Sequence, residues 1–222
     1  MSDSIAIEKA NTQSLTALMN QIPGGEIDGQ SPLHHAELDK LASIPADEEG
    51  VTLKEVKLMG HLTLRFDASN AAQLHAVESI LGFELPLEPL TSKAKGDYTA
   101  RWMSPDEWLI TVPGLAAYDV ESAFRERMTG HYSLVNGSGG STILEISGPH
   151  AVDVLKKSSP IDFHLSEFPI GKVVATVFAK SGAVIRRLDD SRFELVIRRS
   201  FADYLWLWLQ DASLEFGLAI EK

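Results

Sequence analysis

The chain has 222 residues, no cysteine, and a formal charge of −11 from 31 acidic and 20 basic residues. The length allows one large domain or two small ones with a self-sufficient core, and the lack of cysteine excludes disulfides, thiolate nucleophiles and cysteine-ligated zinc or iron–sulfur centres. The negative charge repels phosphate backbones and anionic lipids, so we expect neither a nucleic acid nor a membrane as a partner.

The first fifty residues differ from the rest in charge and composition. They hold nine acidic and two basic residues, and they include the turn-rich stretch IPGGEIDGQSP. This composition predicts an acidic N-terminal arm over residues 1–50 that is partly extended. The start lacks a basic region followed by an apolar segment, and no apolar run reaches membrane-spanning length, so we expect a cytoplasmic protein.

Within the arm, the segment SPLHHAEL is the part that we expect to dock against a partner, because charged segments with apolar residues often order on binding. A solvated tail is the alternative. The candidate contact residues are Leu33, His34 and His35. Although Glu37 and Asp39 are close in sequence to the two histidines, we predict no metal there, since an arm does not hold converging ligands in place.

The body of the chain carries an internal repeat. The stretch LRFDASNAAQL, residues 64–74, aligns without a gap on LEISGPHAVDV, residues 144–154, at an offset of 80. Each copy starts with the alternation typical of a half-buried strand and changes, through a small polar cluster, to a helical period. The pattern predicts a duplicated strand–turn–helix unit.

A second match, at an offset of 85, places TARWMSPDEWLITVP over AVIRRLDDSRFELVIR. Each copy predicts a hairpin of two short strands, and a helix follows in both. We therefore predict an α+β protein of two pseudo-repeated units, each an antiparallel sheet with packed helices. The units are expected over residues 51–135 and 141–222, with a glycine-rich linker over residues 136–140.

Asp106 and Glu107 form an adjacent carboxylate pair that could suggest an active site. Neighbouring residues in a strand point to opposite faces, however, and a catalytic pair must face one substrate. Pro105 and Asp106 suit the central positions of a type I turn. We interpret the pair as turn chemistry.

No other polar cluster predicts a catalytic, cofactor-binding or metal-binding residue. The glycine-rich linker opens a strand and has no lysine, unlike a phosphate-binding loop. Four arginines at the second hairpin could bind a carboxylate or phosphate, but nearby acids could pair with all of them. The arginines are Arg186, Arg187, Arg198 and Arg199, and the acids are Asp189, Asp190, Glu194 and Asp203. Five further histidines are dispersed: His61, His75, His131, His150 and His164.

The last predicted helix, in RSFADYLWLWLQDA, has more apolar surface than one sheet can cover. We expect Ser200 to cap its first turn. Trp206 lies well off the face that carries Trp208, so the helix has two apolar faces to bury. One face packs on its own repeat, and the other packs on the other repeat or on a partner. Because tryptophan is enriched at interface centres, Trp206 and Trp208 are candidate partner contacts.

Four stretches together resemble the gamma subunit family of bacterial heterotetrameric sarcosine oxidases, over about residues 31 to 217. They are SPLHHAEL, SPDEWLITVP, LEISGPHAVDVLKKSSPIDFHLSEFPIGK and FELVIRRSFADYLWLWLQDASLEFG. The resemblance implies a duplicated α+β fold similar to the folate-binding region of glycine-cleavage aminomethyltransferases. It also implies a complex of four unlike subunits, in which the gamma chain is assigned no catalytic residue.

In that family, the complex oxidatively demethylates sarcosine with oxygen to glycine and hydrogen peroxide, and the one-carbon unit passes to tetrahydrofolate or leaves as formaldehyde. The resemblance places FAD, FMN, NAD and tetrahydrofolate on the alpha and beta subunits and zinc on the delta subunit. It therefore implies no cofactor in this chain, and alpha, beta and delta subunits as partners, chiefly alpha.

Two functional hypotheses follow from these observations. The first is a non-catalytic assembly subunit of a sarcosine oxidase, which binds the alpha chain through the arm and the tryptophan-rich second repeat. The second is a free-standing folate-binding or one-carbon-transfer protein, because the implied fold hosts both activities and fold alone does not choose between them.

Overall fold

The computed structural model describes residues 29–42 and 50–221. The predicted extended character of the acidic arm falls mostly on residues 1–28 and 43–49, which lie outside the described residues. Within the described part of the chain, no helix combines the length and the apolarity needed to cross a bilayer.

The described residues form five α-helices and eleven strands, in an order that alternates short runs of each. The helices are α1 (Leu38–Leu41), α2 (Ala71–Leu81), α3 (Ala117–Arg127), α4 (Ala151–Ser158) and α5 (Ala202–Ser213). The strands are β1 (Val51–Val56), β2 (Met59–Phe66), β3 (Ser92–Lys95), β4 (Tyr98–Ser104), β5 (Glu107–Pro113), β6 (Tyr132–Asn136), β7 (Ser141–Ser147), β8 (Val173–Phe178), β9 (Ser181–Arg187), β10 (Phe193–Arg198) and β11 (Leu218–Glu221).

The first sheet has the strand order β3-β4-β5-β2-β6, and its neighbours are antiparallel. Strand β5 lies between β2 and β4, and the chain passes from β2 through α2 and the edge strand β3 to β4, so the unit contains a split βαβ motif. Helices α2 and α3 pack on one face of this sheet. Their buried residues, such as Val77 and Phe124, share a core with Leu62 and Leu64 of β2.

The second sheet has the order β11-β1-β7-β10-β9-β8. It repeats the arrangement of the first sheet, and α4 and α5 cover one face of it through residues such as Leu155 and Leu205. The sheet differs from the first in one strand: β1 is inserted between β7 and β11, antiparallel to the former and parallel to the latter.

The sequence division assigns residues 51–56 to the first unit, whereas in the structure this strand pairs within the second sheet. Two glycines allow the close approach. Gly148 has a φ of +111°, and a Cβ there would lie 2.7 Å from the carbonyl oxygen of Gly50. A Cβ at Gly50 would in turn lie 2.1 Å from the carbonyl oxygen of Phe216. The sequence does not indicate which sheet β1 joins, because its buried and exposed residues alternate as they would in a strand of either sheet.

The internal repeat is confirmed at the level of single residues. Helices α2 and α4 begin at Ala71 and Ala151, which are 80 residues apart. Trp108 and Phe193, matched at the offset of 85, are both fully buried in their respective cores. The predicted α+β class with two antiparallel sheets and packed helices is therefore confirmed.

The segment predicted as a glycine-rich linker, residues 136–140, has regular secondary structure at most of its positions. Asn136 ends β6, and residues Ser138–Gly140 form a 3₁₀ turn that leads directly into β7. The expected Ser200 cap is wrong: a 3₁₀ turn over Arg199–Phe201 precedes α5, and the Ala202 amide donates to the Arg199 carbonyl oxygen instead.

Candidate functional site

The two sheets face each other through the sides that their helices leave uncovered, and a buried ion pair joins these sides. Arg101 on β4 is fully buried and donates from Nε to Oε1 of Glu194 on β10, at 2.8 Å. Arg186 on β9 places its Nε 2.7 Å from the same oxygen. Thr111 on β5 accepts a further hydrogen bond from Arg101, at 3.0 Å.

This cluster holds two cations and one anion in a dry environment. Burial opposes ionisation of Glu194, but the guanidinium groups of Arg101 and Arg186 hold the pKa of its carboxyl below the usual range. Glu145, opposite Glu194 in the ladder between β7 and β10, has its pKa raised by burial. Glu194 is therefore ionised and pairs with both arginines. Its pair with Arg101 connects the two sheets, in addition to the packing between them.

His61 on β2 lies close enough to Arg101 and Glu194 to interact with their charges, and only 4% of its surface is exposed. Its Nδ1 is 3.1 Å from the carbonyl oxygen of Met59. Since a carbonyl oxygen can only accept, Nδ1 carries the proton and Nε2 presents a lone pair. Nε2 has no hydrogen-bond partner among the described residues. Burial lowers the pKa of His61, which keeps the ring neutral near pH 7.

Residues of the predicted linker fix the position of His61. The Gly137 amide donates to the His61 carbonyl oxygen at 2.8 Å, and the His61 amide donates to the Ser138 hydroxyl at 3.1 Å. The Ser138 hydroxyl in turn donates to the Asn136 side chain at 2.5 Å. The backbone of His61 is thus held on both its amide and its carbonyl side.

A cleft of about 530 Å³ opens between the sheets at His61. Its walls combine apolar groups with a few polar ones. The lining includes His61, Thr63, Leu109, Thr176, Val196 and Arg198. Sequence reasoning missed this site, since it treated His61 as one of several dispersed histidines. The available signal was that His61, Thr63 and Arg65 share the face of β2 opposite Leu62 and Leu64.

The structure places the predicted contacts Leu33 and Trp206 in the core of the second unit, where 1% and 6% of their surfaces are exposed. Trp208 is half-buried, and its Nε1 donates to the Ser158 hydroxyl at 2.9 Å. His34 and His35 are exposed. Leu33 and Trp206 are therefore covered by this chain itself. The role of all five residues in a partner interface stays a prediction.

The segment SPLHHAEL was expected to dock against a partner; among the described residues it packs against this chain's own second unit. Glu55 on β1 is buried and accepts hydrogen bonds from the Ser31 hydroxyl at 2.7 Å and the Thr142 hydroxyl at 2.9 Å. Nε2 of His35 lies 2.7 Å from Oδ1 of Asp203 on α5. This segment is therefore an integral part of the second unit.

Helix α5 keeps apolar surface on the side turned away from its sheet. Leu207 is 57% exposed and Leu214, just beyond the helix, is 77% exposed. Tyr204 and the half-buried Trp208 form a tilted ring pair beside them, with centroids 6.5 Å apart. We call Tyr204, Leu207, Trp208 and Leu214 the α5 outer face.

The remaining sequence candidates have structural roles. Pro105 and Asp106 form the turn between β4 and β5, as predicted, and Asp106 accepts from Ser104 at 2.7 Å and pairs with Arg65 at 2.8 Å. Arg187 donates to backbone carbonyl oxygens, including those of Phe163 and Phe168, and not to the expected carboxylates.

Arg186 pairs with Glu194 as expected, while Arg198 and Arg199 form no ion pair within the described ranges. In residues 29–42 and 50–221, no group of three or more histidine, aspartate or glutamate side chains is arranged to hold a metal.

The matches to known proteins cover the second unit and most of the first. The model of the sarcosine oxidase, gamma subunit family matches residues 65–215. A sarcosine oxidase subunit gamma from Corynebacterium sp. (strain U-96) is 28% identical over 198 residues, which cover 86% of this chain and 92% of the relative. One from Arthrobacter sp. is 29% identical over 171 residues, or 75% of this chain and 82% of the relative.

Two solved structures are similar in fold over 85% of this chain. A chain of heterotetrameric sarcosine oxidase from Corynebacterium sp. U-96 superposes with a TM-score of 0.75 and 26% identity, covering 85% of this chain and 96% of that one. The glycine cleavage system aminomethyltransferase T from Bartonella henselae superposes with a TM-score of 0.62 at 11% identity, covering 85% of this chain and 58% of that one. The second likeness shows a shared fold alone.

Proposed function

The chain belongs to the sarcosine oxidase, gamma subunit family, and from this premise we propose that it is a non-catalytic subunit that supports assembly of a heterotetrameric sarcosine oxidase. The resemblance inferred from the four sequence motifs is confirmed. The observation that carries the proposal is the agreement of sequence and fold with one chain of such a complex, over 96% of that chain's length.

The complex would demethylate sarcosine oxidatively to glycine, with oxygen as acceptor and hydrogen peroxide as product, and would pass the one-carbon unit to tetrahydrofolate. We place FAD, FMN, NAD, tetrahydrofolate and zinc on the alpha, beta and delta subunits. What this chain's own residues support is binding: the α5 outer face presents apolar and aromatic groups, which are the groups that contribute most at protein interfaces.

We place the main contact with the alpha subunit on the α5 outer face. The face is apolar where a solvent-facing helix is normally polar, and exposing several large apolar side chains together has a cost that a partner removes. His35 extends this surface, since its Nε2 lies 2.7 Å from Oδ1 of Asp203 at the start of α5. Leu33 and Trp206 support the face from inside the core.

Substitution of one exposed leucine in each unit tests this placement. Leu207→Asp puts a charge in the centre of the α5 outer face and is expected to weaken binding to the other subunits by about 100-fold or more, because an unpaired charge would be buried. Leu115→Asp is the matched control, since Leu115 is 98% exposed in the first unit. Affinity by biolayer interferometry distinguishes the two, and equal effects would refute the placement.

Coexpression with the alpha, beta and delta chains, followed by size-exclusion chromatography, tests the assembly role. The chain is expected to co-elute with the flavoprotein and to have no oxidase activity alone. If the isolated chain is instead a stable monomer that binds a reduced folate tightly in calorimetry, the free-standing folate-binding or one-carbon-transfer function replaces the proposal.

A further inference from the structure

The geometry points to the outer edge of strand β8 as a second docking site, which another subunit of the complex covers by adding an extended segment to the sheet. This contact rests on the proposed function, because it takes its partner from the heterotetramer. It differs in kind from the α5 outer face. Main-chain hydrogen bonds hold a segment at a strand edge, whereas the helix offers only side chains.

Strand β8 ends the second sheet and pairs on one side only, with β9. The Val173 amide turns away from β9, because it donates to the Leu90 carbonyl oxygen. In an antiparallel pair, the backbone groups of successive residues alternate between facing the neighbouring strand and facing away from it. The N–H and C=O groups of Ala175 and Val177 therefore also face away from β9. Both residues are exposed, Val177 to 54%.

The equivalent edge of the first sheet is protected against pairing, whereas β8 is not. Ala94 of β3 and Ala175 of β8 are matched residues. Their partners on the neighbouring strands, Thr99 and Val184, are 85 residues apart, as the repeat requires. Strand β3 has four residues, two of them lysines, and both features discourage pairing with another chain. Strand β8 has six residues and neither a charge nor a proline, so its edge is suited to accept a strand.

Two lysines flank this edge and define the ends of the segment that covers it. Lys172 precedes β8 and donates to the Glu167 carbonyl oxygen, and Lys180 follows β8 in the hairpin turn. Neither forms an ion pair within residues 29–42 and 50–221. Between them, Gly182 lies opposite Val177 and has open space where a side chain would stand. The occupant is therefore an extended segment with apolar residues in its middle and an acidic residue at each end.

The same lysines argue against a second copy of this chain as the occupant. Two antiparallel β8 edges use both outward-facing residues of each copy when Ala175 lies opposite Val177 of the other copy. That register also places Lys172 opposite Lys180, and like charges directly opposite each other destabilise a strand pair. The segment therefore comes from a different chain.

Hydrogen–deuterium exchange with electron-transfer fragmentation tests the contact at single amides. The chain is measured alone and in the complex assembled with the alpha, beta and delta subunits. The amides of Ala175 and Val177 are expected to exchange at least about tenfold more slowly in the complex, because each gains a backbone hydrogen bond. The Ala94 amide, at the matched position on β3, should exchange equally fast in both samples.

Proline substitution of the matched alanines provides a variant and its control. Ala175→Pro removes an N–H group that faces away from β9, so the pairing within the chain is kept and only the added strand loses a bond. It should weaken binding to the other subunits about tenfold or more in biolayer interferometry, whereas Ala94→Pro should leave the affinity unchanged. Lys180→Glu, at an exposed turn residue, should weaken binding about fivefold at low salt, and it decides if Ala175→Pro does not fold.

Three results would overturn the contact. If the complex forms while both amides exchange as in the free chain, the edge is open there, and the assembly role stands without this contact. If both amides already exchange slowly in the isolated chain, this chain covers its own edge, or a second copy does when dilution restores fast exchange. If no complex forms, the proposed function fails and this contact fails with it.

Discussion

Helices α3 and α5 hold equivalent places in the two repeats, and they differ on the side turned away from the sheet. On α3, the exposed residues are the charged Asp119, Glu126 and Arg127. At the corresponding side of α5, Leu207 stands exposed beside Trp208. The exposed side chains of α3 are charged, whereas α5 also exposes a leucine, and the partner contact that we propose rests on this difference.

The second unit also collects the N-terminal parts of the chain. It takes up β1 and, through Glu55, the segment that starts at Ser31. The first unit holds neither. The second unit therefore has an additional strand and the N-terminal segment, and the assembly contact that we propose lies on this same unit.

The largest effect is expected from truncation of the matched core aromatics. Trp108→Ala and Phe193→Ala remove fully buried rings at equivalent positions and should each destabilise the chain by about 3–5 kcal/mol. Unfolding in urea, followed by circular dichroism, measures this. Because the buried ion pair joins the sheets, we expect one transition in both variants. Two separate transitions would show that the repeats unfold independently.

The ion pair between the sheets comes next. Arg101→Met leaves Glu194 buried with Arg186 as its remaining partner, and it should cost about 3 kcal/mol. Glu194→Met leaves both Arg101 and Arg186 buried without their anion, and it should cost more than Arg101→Met, which keeps the matched pair of Arg186 and Glu194. If the double variant Arg101→Met with Glu194→Met loses as much stability as the two single variants combined, the pair does not couple the sheets.

A smaller effect is expected where the second unit holds the N-terminal segment. Glu55→Leu leaves the hydroxyls of Ser31 and Thr142 without their buried acceptor, at a cost of about 2 kcal/mol. Trypsin should then cut faster at Lys40. The matched control in the first unit is Glu84→Leu, which removes an exposed ion pair with Lys93 and should change stability by less than about 1 kcal/mol. Unchanged cleavage at Lys40 would contradict this role of Glu55.

The smallest effect is the pH dependence due to His61. Its pKa in the folded chain is lowered from 6.5 by burial, so the unfolded state binds the proton first as the pH falls below 6.5. Stability therefore falls with falling pH, by at most about 1.4 kcal/mol per pH unit from this group. In His61→Phe the slope between pH 7 and 5 should be shallower. An unchanged slope would mean that the folded ring protonates normally.

The repeat, the hairpins and the α+β class were predictable because alternation and helical period record which face of an element is buried. The helix starts at Ala71 and Ala151 follow the alignment residue by residue. The insertion of β1 into the second sheet was not predictable, since the alternation of residues within one strand does not identify the strand that it pairs with. The cleft was missed because His61 and Arg101 lie on polar strand faces, which in an isolated unit would face water.

The comparison of α3 with α5 is tested most directly by hydroxyl-radical footprinting of the chain, alone and in the assembled complex with alpha, beta and delta subunits. Mass spectrometry reports the oxidation of Tyr204, Leu207 and Trp208 on α5 and of Tyr118 on α3. We predict strong protection of the three α5 residues in the complex and unchanged oxidation of Tyr118. Protection of Tyr118 with undiminished oxidation of Leu207 and Trp208 would contradict docking through the second repeat.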